Sequence, residues 1–298
     1  MSMTPGPLCR KFVPVEQSKI SSIIICEECF LSILSISLSQ VAQLIQRLCF
    51  DTSISAELVI EEKIDYNDLV NSVQDGRTAF MDKDCDSLIH ETESELKDGL
   101  DLQDTRNDRG DPNDPRVRLK RDCVGIMAAF RFKNPSSHHV IIANTHIYWD
   151  PEWADVKLAQ AKYLLSRLAK FKKMVADKFD CTPSVLVAGD FNSVPGDQVY
   201  QYIVSGTTSV GAENAEDLPI PLSSVYAFTR GEPHFTNCTS NFIGTLDYIL
   251  FSPSEDIKPI SYLELPERES SDVSDGLPNY YHPSDHLPIG AEFEVFQA

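Results

Sequence analysis

The stretch "SVLVAGDFNSVPGD", residues 184–197, constrains this chain more than any other. Val185 to Ala188 are apolar without a break, so a strand there cannot face water on either side and needs a layer above and below it. It nevertheless ends on Asp190, with Asn192 two residues further on. Core burial disfavours both side chains, and a rigid strand that stops on polar groups presents them to a cleft.

The surrounding segments supply the layers. "CVGIMAAFRF" and "HHVIIANTH" are β-rich runs joined by the turn "KNPSS", which predicts an antiparallel hairpin. Residues 151–179 begin with Pro151 and acids, then repeat Leu158, Ala161, Leu165, Leu168, Phe171 and Val175 on one face. That spacing predicts an amphipathic helix, with Lys170, Lys172 and Lys173 near the end where the helix dipole favours cations. "GTLDYILFS" and "LPIGAEFEVF" read as further strands. No repeats occur, and strands mixed with hairpins and helices point to an α/β two-sheet sandwich flanked by helices.

Charge and cysteines bound the function class. The formal charge is −19, and seventeen acids against six bases between Glu61 and Pro115 account for −11 of it. "DGLDLQDTRNDRGDPNDP" lacks apolar periodicity and reads as a solvated, disordered insert over about 71–115. The acidity outside it is mild, so a polyanionic substrate stays open if carboxylates in the folded part bind metal. Eight cysteines in 298 residues do not form a disulfide framework and fit a reducing compartment. Cys26 and Cys29 have the spacing of half a zinc site, with no second pair to complete it. Residues 20–49 are strongly apolar, but Glu27 and Glu28 would each cost about 2.5–3.5 kcal/mol inside a bilayer, so no membrane span is expected.

Polar residues gather where β runs stop: Asn144, His146, Asp190, Asn192, Asp247, Asp285 and His286. Strand alternation places Asn144 with His146, and Asp190 with Asn192. Singly, each has an ordinary explanation as a turn, cap or satisfied polar residue. Asp247, read as lying inside an apolar strand, needs a partner to offset several kcal/mol of desolvation, and the Asp285–His286 pair offers one. Together the groups suit metal-assisted hydrolysis of a phosphate ester. Carboxylates hold Mg²⁺, an Asp beside an Asn orients water, and a His steadied by a buried Asp meets developing charge. Acyl transfer is disfavoured because no G-x-S-x-G elbow occurs.

"NTHIYWDP", "GDFNSVPGD", "FIGTLDYILFS" and "HPSDHLPIGAEF" resemble, in order and spacing, the motifs of the endonuclease/exonuclease/phosphatase superfamily, which has the deoxyribonuclease I fold. "RLKRDCVGIMAAFR", "WADVKLAQAKYLLSRLAKFK" and "GEPHFTNCTSNF" look like the carbon catabolite repressor four type of poly(A) deadenylase, in its plant, hesperin-like branch. The resemblance implies a Mg²⁺-dependent 3′–5′ exoribonuclease that shortens poly(A) tails and releases 5′-AMP, with two ions in the family. It implies that Asp190 activates water, Asn192 contacts the scissile phosphate, Asp247 orients His286, Asp285 and Asp190 serve the metal, and His146 binds phosphate. It also implies an adenine slot of Phe242 and Asn192 near Pro151, with Asn144 on the substrate side.

The resemblance begins near Thr52, leaving 1–51 as an apolar, non-family segment and 52–298 as a partial domain. A first strand with an asparagine and a "QEVD" strand whose glutamate is the principal metal ligand are both expected and absent; the nearest mimic is "IIICEECF", with Glu27 and Glu28. The expectation is therefore an N-terminally truncated domain, from an isoform or a misjoined gene, with first strands missing and metal binding weakened. Two rivals follow: a nucleotide phosphatase of the same superfamily, and an inactive fragment. Poly(A) RNA is the expected partner, with no membrane and no leucine-rich repeats for docking to a larger deadenylase assembly, and the expected location is cytoplasmic and also nuclear.

Overall fold

Backbone pairing in the computed structural model, which describes residues 12–14, 22–26, 56–73, 111, 114–133, 138–205, 218–254 and 256–296, resolves the β-rich runs into two stacked sheets. In chain order the strands are β1 (Phe12–Pro14), β2 (Ser22–Cys26), β3 (Ala56–Asp65), β4 (Val124–Phe132), β5 (His139–His146) and β6 (Ser184–Asp190). They continue as β7 (Ser223–Ser224), β8 (Asn237–Cys238), β9 (Ile243–Gly244), β10 (Asp247–Phe251), β11 (Ile257–Leu263) and β12 (Gly290–Val295). The helices are α1 (Asp68–Asn71), α2 (Pro115–Arg118), α3 (Ala154–Phe179), α4 (Gln198–Ser205) and α5 (Val225–Thr229). One sheet has the order β3-β4-β5-β6-β10-β7, the other β1-β11-β12-β2, and β8 with β9 forms a separate ribbon.

Period-two alternation decides which core each residue enters. On β4, Ile126, Ala128 and Phe130 face the second sheet, where they meet Leu287, Ile289, Ala291 and Phe293. Met127 and Ala129 turn the other way, toward Leu164, Leu168 and Phe171 of α3. β6 does the same, Leu186 and Ala188 facing one core and Val185 and Val187 the other. Each buried Leu, Ile, Val or Phe removes enough apolar surface for about 1.5–3 kcal/mol, which is why Val185 to Ala188, facing both cores, are all apolar.

The expected hairpin is present, with β4 and β5 antiparallel and Val124 opposite His146. The predicted helix is a 3₁₀ turn, Pro151–Trp153, leading into α3. All six residues of the predicted apolar face are buried, and Asp180 ends the helix in the left-handed region at φ 50°. β5 to β6 is the parallel step, with α3 as its crossover.

The acidic insert lies outside the described residues, apart from its borders. There α1 packs beside α2, whose first turn Asp114 caps by accepting from the Arg116 amide. Two borders held side by side tolerate a long insertion, since loop-closure cost grows only slowly with length. In the second sheet, Ser22–Cys26 pairs antiparallel with β12, and Phe12–Pro14 with β11. Segments before Thr52, read from the sequence as lying outside the family domain, therefore supply two strands of the second sheet. Cys29, Glu27 and Glu28 lie outside the described residues. Cys123, Cys181 and Cys238 are free thiols, and among the described residues no helix is long and apolar enough to cross a membrane.

Candidate active site

Sheet register builds the site as a row. His146 is opposite Asp190 across β5–β6, and Asp190 is opposite Asp247 across β6–β10. Three polar residues thus finish three neighbouring strands at one rim. The close approach of β5 and β6 there requires a glycine: a Cβ on Gly189 would lie 2.1 Å from the Thr145 carbonyl oxygen. The glycine before Asp190 is part of the strand packing that delivers the acid.

His286 enters from the second sheet, four residues before β12. It forms a bridge with Asn237, while the Cys238 amide donates to the Asp285 carbonyl and the Leu287 amide to the Thr236 carbonyl. Its Nδ1 is 2.8 Å from Asp247 Oδ2. Its Nε2 then points at the neighbouring acid, 4.0 Å from Asp190 Oδ2, and His146 Nε2 approaches the same oxygen at 3.4 Å. Asp190 and Asp247 are both buried, and His146 is exposed.

The electrostatics follow from two buried acids sharing a rim. Burial raises the Asp190 carboxyl well above the ordinary range, Asp247 raises it further, and His286 opposes both. Burial alone would lower His286, but the hydrogen bond and charge of Asp247, with Asp190 and Asp285 behind them, carry it to about 9. His146 lies below its usual value, chiefly through burial, against the pull of Asp247. The rim thus favours charge on His286 and disfavours it, more weakly because the ring is partly open to solvent, on His146.

Asn192 is reached differently from what strand alternation suggests. β6 ends at Asp190, and Asn192 sits beyond it at φ 44°. Its amide donates to Asp190 Oδ1 at 2.8 Å and its side-chain Nδ2 donates to the Ile147 carbonyl at 3.0 Å. A left-handed turn, to which asparagine is suited, therefore folds Asn192 back against the rim. Asp247 opens β10 rather than lying within it, so only one of its neighbours along the strand is laddered. Asn144, expected on the substrate side, lies two residues inside the rim, buried, with Nδ2 donating to the Ala188 carbonyl at 2.8 Å.

Phe242 projects from the β8–β9 ribbon, 40% exposed, over a glycine that leaves room for it: a Cβ on Gly244 would lie 2.7 Å from the ring and 3.0 Å from Val194. Pro151 is exposed at the head of the 3₁₀ turn, which Asp150 caps by accepting from the Glu152 amide. Asp285 is exposed, with one oxygen 3.5 Å from Asn237 Nδ2.

The compact donor set for a cation is Asp190, Asp247 and His286, whose ligand atoms lie within 4.8 Å of one another. Asp285 stands outside that set, although it was the expected companion of Asp190. Asp247 Oδ1 is buried and has no hydrogen-bond partner among the described residues, an acceptor that a hard divalent ion would satisfy. Sequence reasoning missed Thr236, whose Oγ1 accepts from the Leu246 and Asp247 amides, and Lys157, whose ammonium donates to the Asn192 carbonyl. Thr236 carried no signal; Lys157 carried a faint one, a cation between the apolar Val156 and Leu158 of a buried helix.

Comparison with known proteins gives the same picture. The Arabidopsis thaliana "Carbon catabolite repressor protein 4 homolog 4" is 61% identical over 241 residues, covering 80% of this chain and 55% of that protein. A "Probable CCR4-Not complex 3'-5'-exoribonuclease subunit Ccr4" of Vairimorpha ceranae is 32% identical over 182 residues, covering 59% and 36%. The chain thus spans about half the length, or less, of these relatives. Among solved structures, that of "ANGEL2, a 2',3'-cyclic phosphatase, in complex with adenosine-2',3'-vanadate" matches with a TM-score of 0.57 at 19% identity, covering 97% of this chain and 99% of that one. It shares the fold. Residues 90–286 match the Endonuclease/Exonuclease/phosphatase family, and with His146, Asp190, Asp247 and His286 meeting at one rim, the chain belongs to that family.

Proposed function

We propose that the protein is a divalent-metal-dependent phosphodiester hydrolase acting as a 3′–5′ exoribonuclease on poly(A). The observation that carries this reading is the Asp247–His286 pair at 2.8 Å set against Asp190 on the opposing strand. Likeness to the Ccr4 exoribonuclease subunits supports the choice of substrate.

The division of labour follows from the charges. Asp190, pushed toward the neutral form by burial, is a base placed to orient and deprotonate an attacking water. His286, kept as imidazolium by Asp247, offers a positive N–H donor at Nε2 to the oxygen charge that develops on phosphorus. His146, uncharged and exposed at the neighbouring strand end, binds a phosphate oxygen. The Asn192 side-chain amide contacts the scissile phosphate, and Phe242 offers an aromatic face on which an adenine stacks, worth about 1–3 kcal/mol per base, with Pro151 bordering the slot. The carboxylates of Asp190 and Asp247 would hold a Mg²⁺, with Asp285 at its margin and His286 left as the charged donor beside it; the ion would neutralise phosphate charge and lower the pKa of bound water.

A 5′-labelled oligo(A) incubated with the protein and Mg²⁺ tests this. Stepwise shortening with release of 5′-AMP is expected, and Asp190→Ala abolishes it. Release of inorganic phosphate from mononucleotides or dinucleotides, without shortening, would assign the site to the phosphatases of the family. Absence of Mg²⁺-dependent turnover, with Asp190→Ala matching the parent, would make this chain a non-catalytic fragment.

A further inference from the structure

We propose that Lys157 is the positioning residue for Asn192: its ammonium, donated to the Asn192 carbonyl at 2.9 Å, locks that residue in the left-handed turn that aims its amide at the substrate. The role assigned to the Asn192 amide rests on the hydrolase reading above; the lock itself does not.

Asn192 needs a lock. Asparagine enters the region at φ 44° more readily than other side chains, but the region is sparsely populated even so, and contacts from the surroundings select it. Asp190 Oδ1 takes the Asn192 amide hydrogen and the Ile147 carbonyl takes one hydrogen of the side-chain amide. Those two contacts hold the nitrogen atoms; the carbonyl oxygen is held by Lys157. Without that third contact the peptide between Asn192 and Ser193 is free to rotate, which releases ψ of Asn192 and lets the residue relax, φ following, toward an ordinary extended turn.

The ammonium is itself held for this task. Lys157 lies on the first turns of α3 and is 5% exposed, between residues of the apolar face. A buried ammonium without partners would lose its proton or leave the core. Burial does lower the Lys157 pKa, and the carboxylates of Asp197, Asp150 and Asp190 pull it back. These acids come from the turn after Asn192, from the cap of the 3₁₀ turn and from the end of β6, so the cation lies beneath the loop that carries Asn192. The neighbouring turns of α3 hold adjacent segments in similar fashion. Asp155 pairs with Arg118, and Gln160 Oε1 accepts from the Tyr148 amide at 2.8 Å. Lys157 is the member of this series that reaches the turn after Asp190.

Lys157→Met keeps the length and burial of the side chain while removing the donor, so a cavity is not introduced. The crystal structure of the folded variant is the first readout: Asn192 leaves positive φ and its Nδ2 leaves the Ile147 carbonyl. Asn192 unchanged in that structure would overturn the proposal whatever the activity. The second readout is turnover of 5′-labelled oligo(A) with Mg²⁺. Loss of alignment at a reacting group costs about ten- to a hundredfold, expected in kcat with KM for oligo(A) within about twofold. In an Asn192→Ala background the same substitution changes kcat less than about twofold, because the side chain that Lys157 aims is already gone. A full additive loss in that background would show that Lys157 acts by another route. Should the parent protein fail to turn over oligo(A) while Asn192 still moves in Lys157→Met, the lock stands and the hydrolase reading falls.

Discussion

Asp247 touches His286 with one oxygen and leaves the other buried and, among the described residues, unpaired. The bonded acid sets the charge of the imidazole, since burial works against protonation and Asp247 does most to reverse it, ahead of Asp190 and Asp285. Asp247→Asn retains shape and volume but removes the charge, so the His286 titration is expected to move down from its place in the parent and the imidazolium to be depleted at pH 7.5. Nuclear magnetic resonance titration of the ring reads this directly, and kcat on oligo(A) at pH 7.5 is expected to fall about a hundredfold or more. An unchanged ring titration would show that another group charges the histidine. The pair was legible in the sequence because a desolvated acid demands a partner and "SDH" offered one. The conformation of Asn192 was not legible, since a left-handed asparagine and one in a strand read alike until the backbone is traced. Asp285 was assigned to the metal through the family resemblance; it lies outside the compact Asp190–Asp247–His286 set, near enough to act on the charge of both His286 and Asp190.

At the scale of elements, β5 opposite the site presents a different chemistry. At its far end His139 is buried, stacked on Phe179 with ring centroids 4.9 Å apart, and among the described residues neither ring nitrogen finds a hydrogen-bond partner. His138 beside it bonds Ser184 Oγ at 2.9 Å. Burial holds both below their ordinary value. At these two histidines protons therefore bind the unfolded chain before the folded one, so their contribution to stability is complete above about 6.5 and declines as pH falls below it. Asp190 and His286, both raised, act in the opposite sense, so the readout is a difference: between pH 7.5 and 5.5 the melting temperature of His139→Phe, which keeps the aromatic stack and removes the two ring nitrogens, is expected to drop less, or rise more, than that of the parent. Melts of parent and variant that shift in parallel would assign the acid sensitivity elsewhere. The hairpin, the long helix and the strands before Asp190, from Asp247 and before the chain end were readable from periodicity alone, because alternation of two and of 3.6 residues answers directly to two cores. The pairing of Ser22–Cys26 with β12 was not, since an apolar run records that it is buried and not against what.

For the whole molecule, the net charge of −19 conceals two unlike acidic regions. One is the insert, whose borders meet at α1 and α2; the other is the pair of buried acids on facing positions of β6 and β10. Only the second costs folding energy, because like charges in a desolvated rim cannot both ionise without a cation. Protein freed of metal by chelation is therefore expected to gain thermal stability on adding MgCl₂, by about 2.7 kcal/mol at a hundredfold excess over Kd. Asp190→Ala is expected to melt at the same temperature with and without Mg²⁺. An equal gain in that variant would place the ion on the insert instead.

Cys238 is spoken for on both sides of its peptide: its N–H goes to the Asp285 carbonyl, and its own carbonyl receives the Leu277 amide. Through it the ribbon that displays Phe242 and the segment that carries His286 are tied at one peptide, so a shift of either end strains the other.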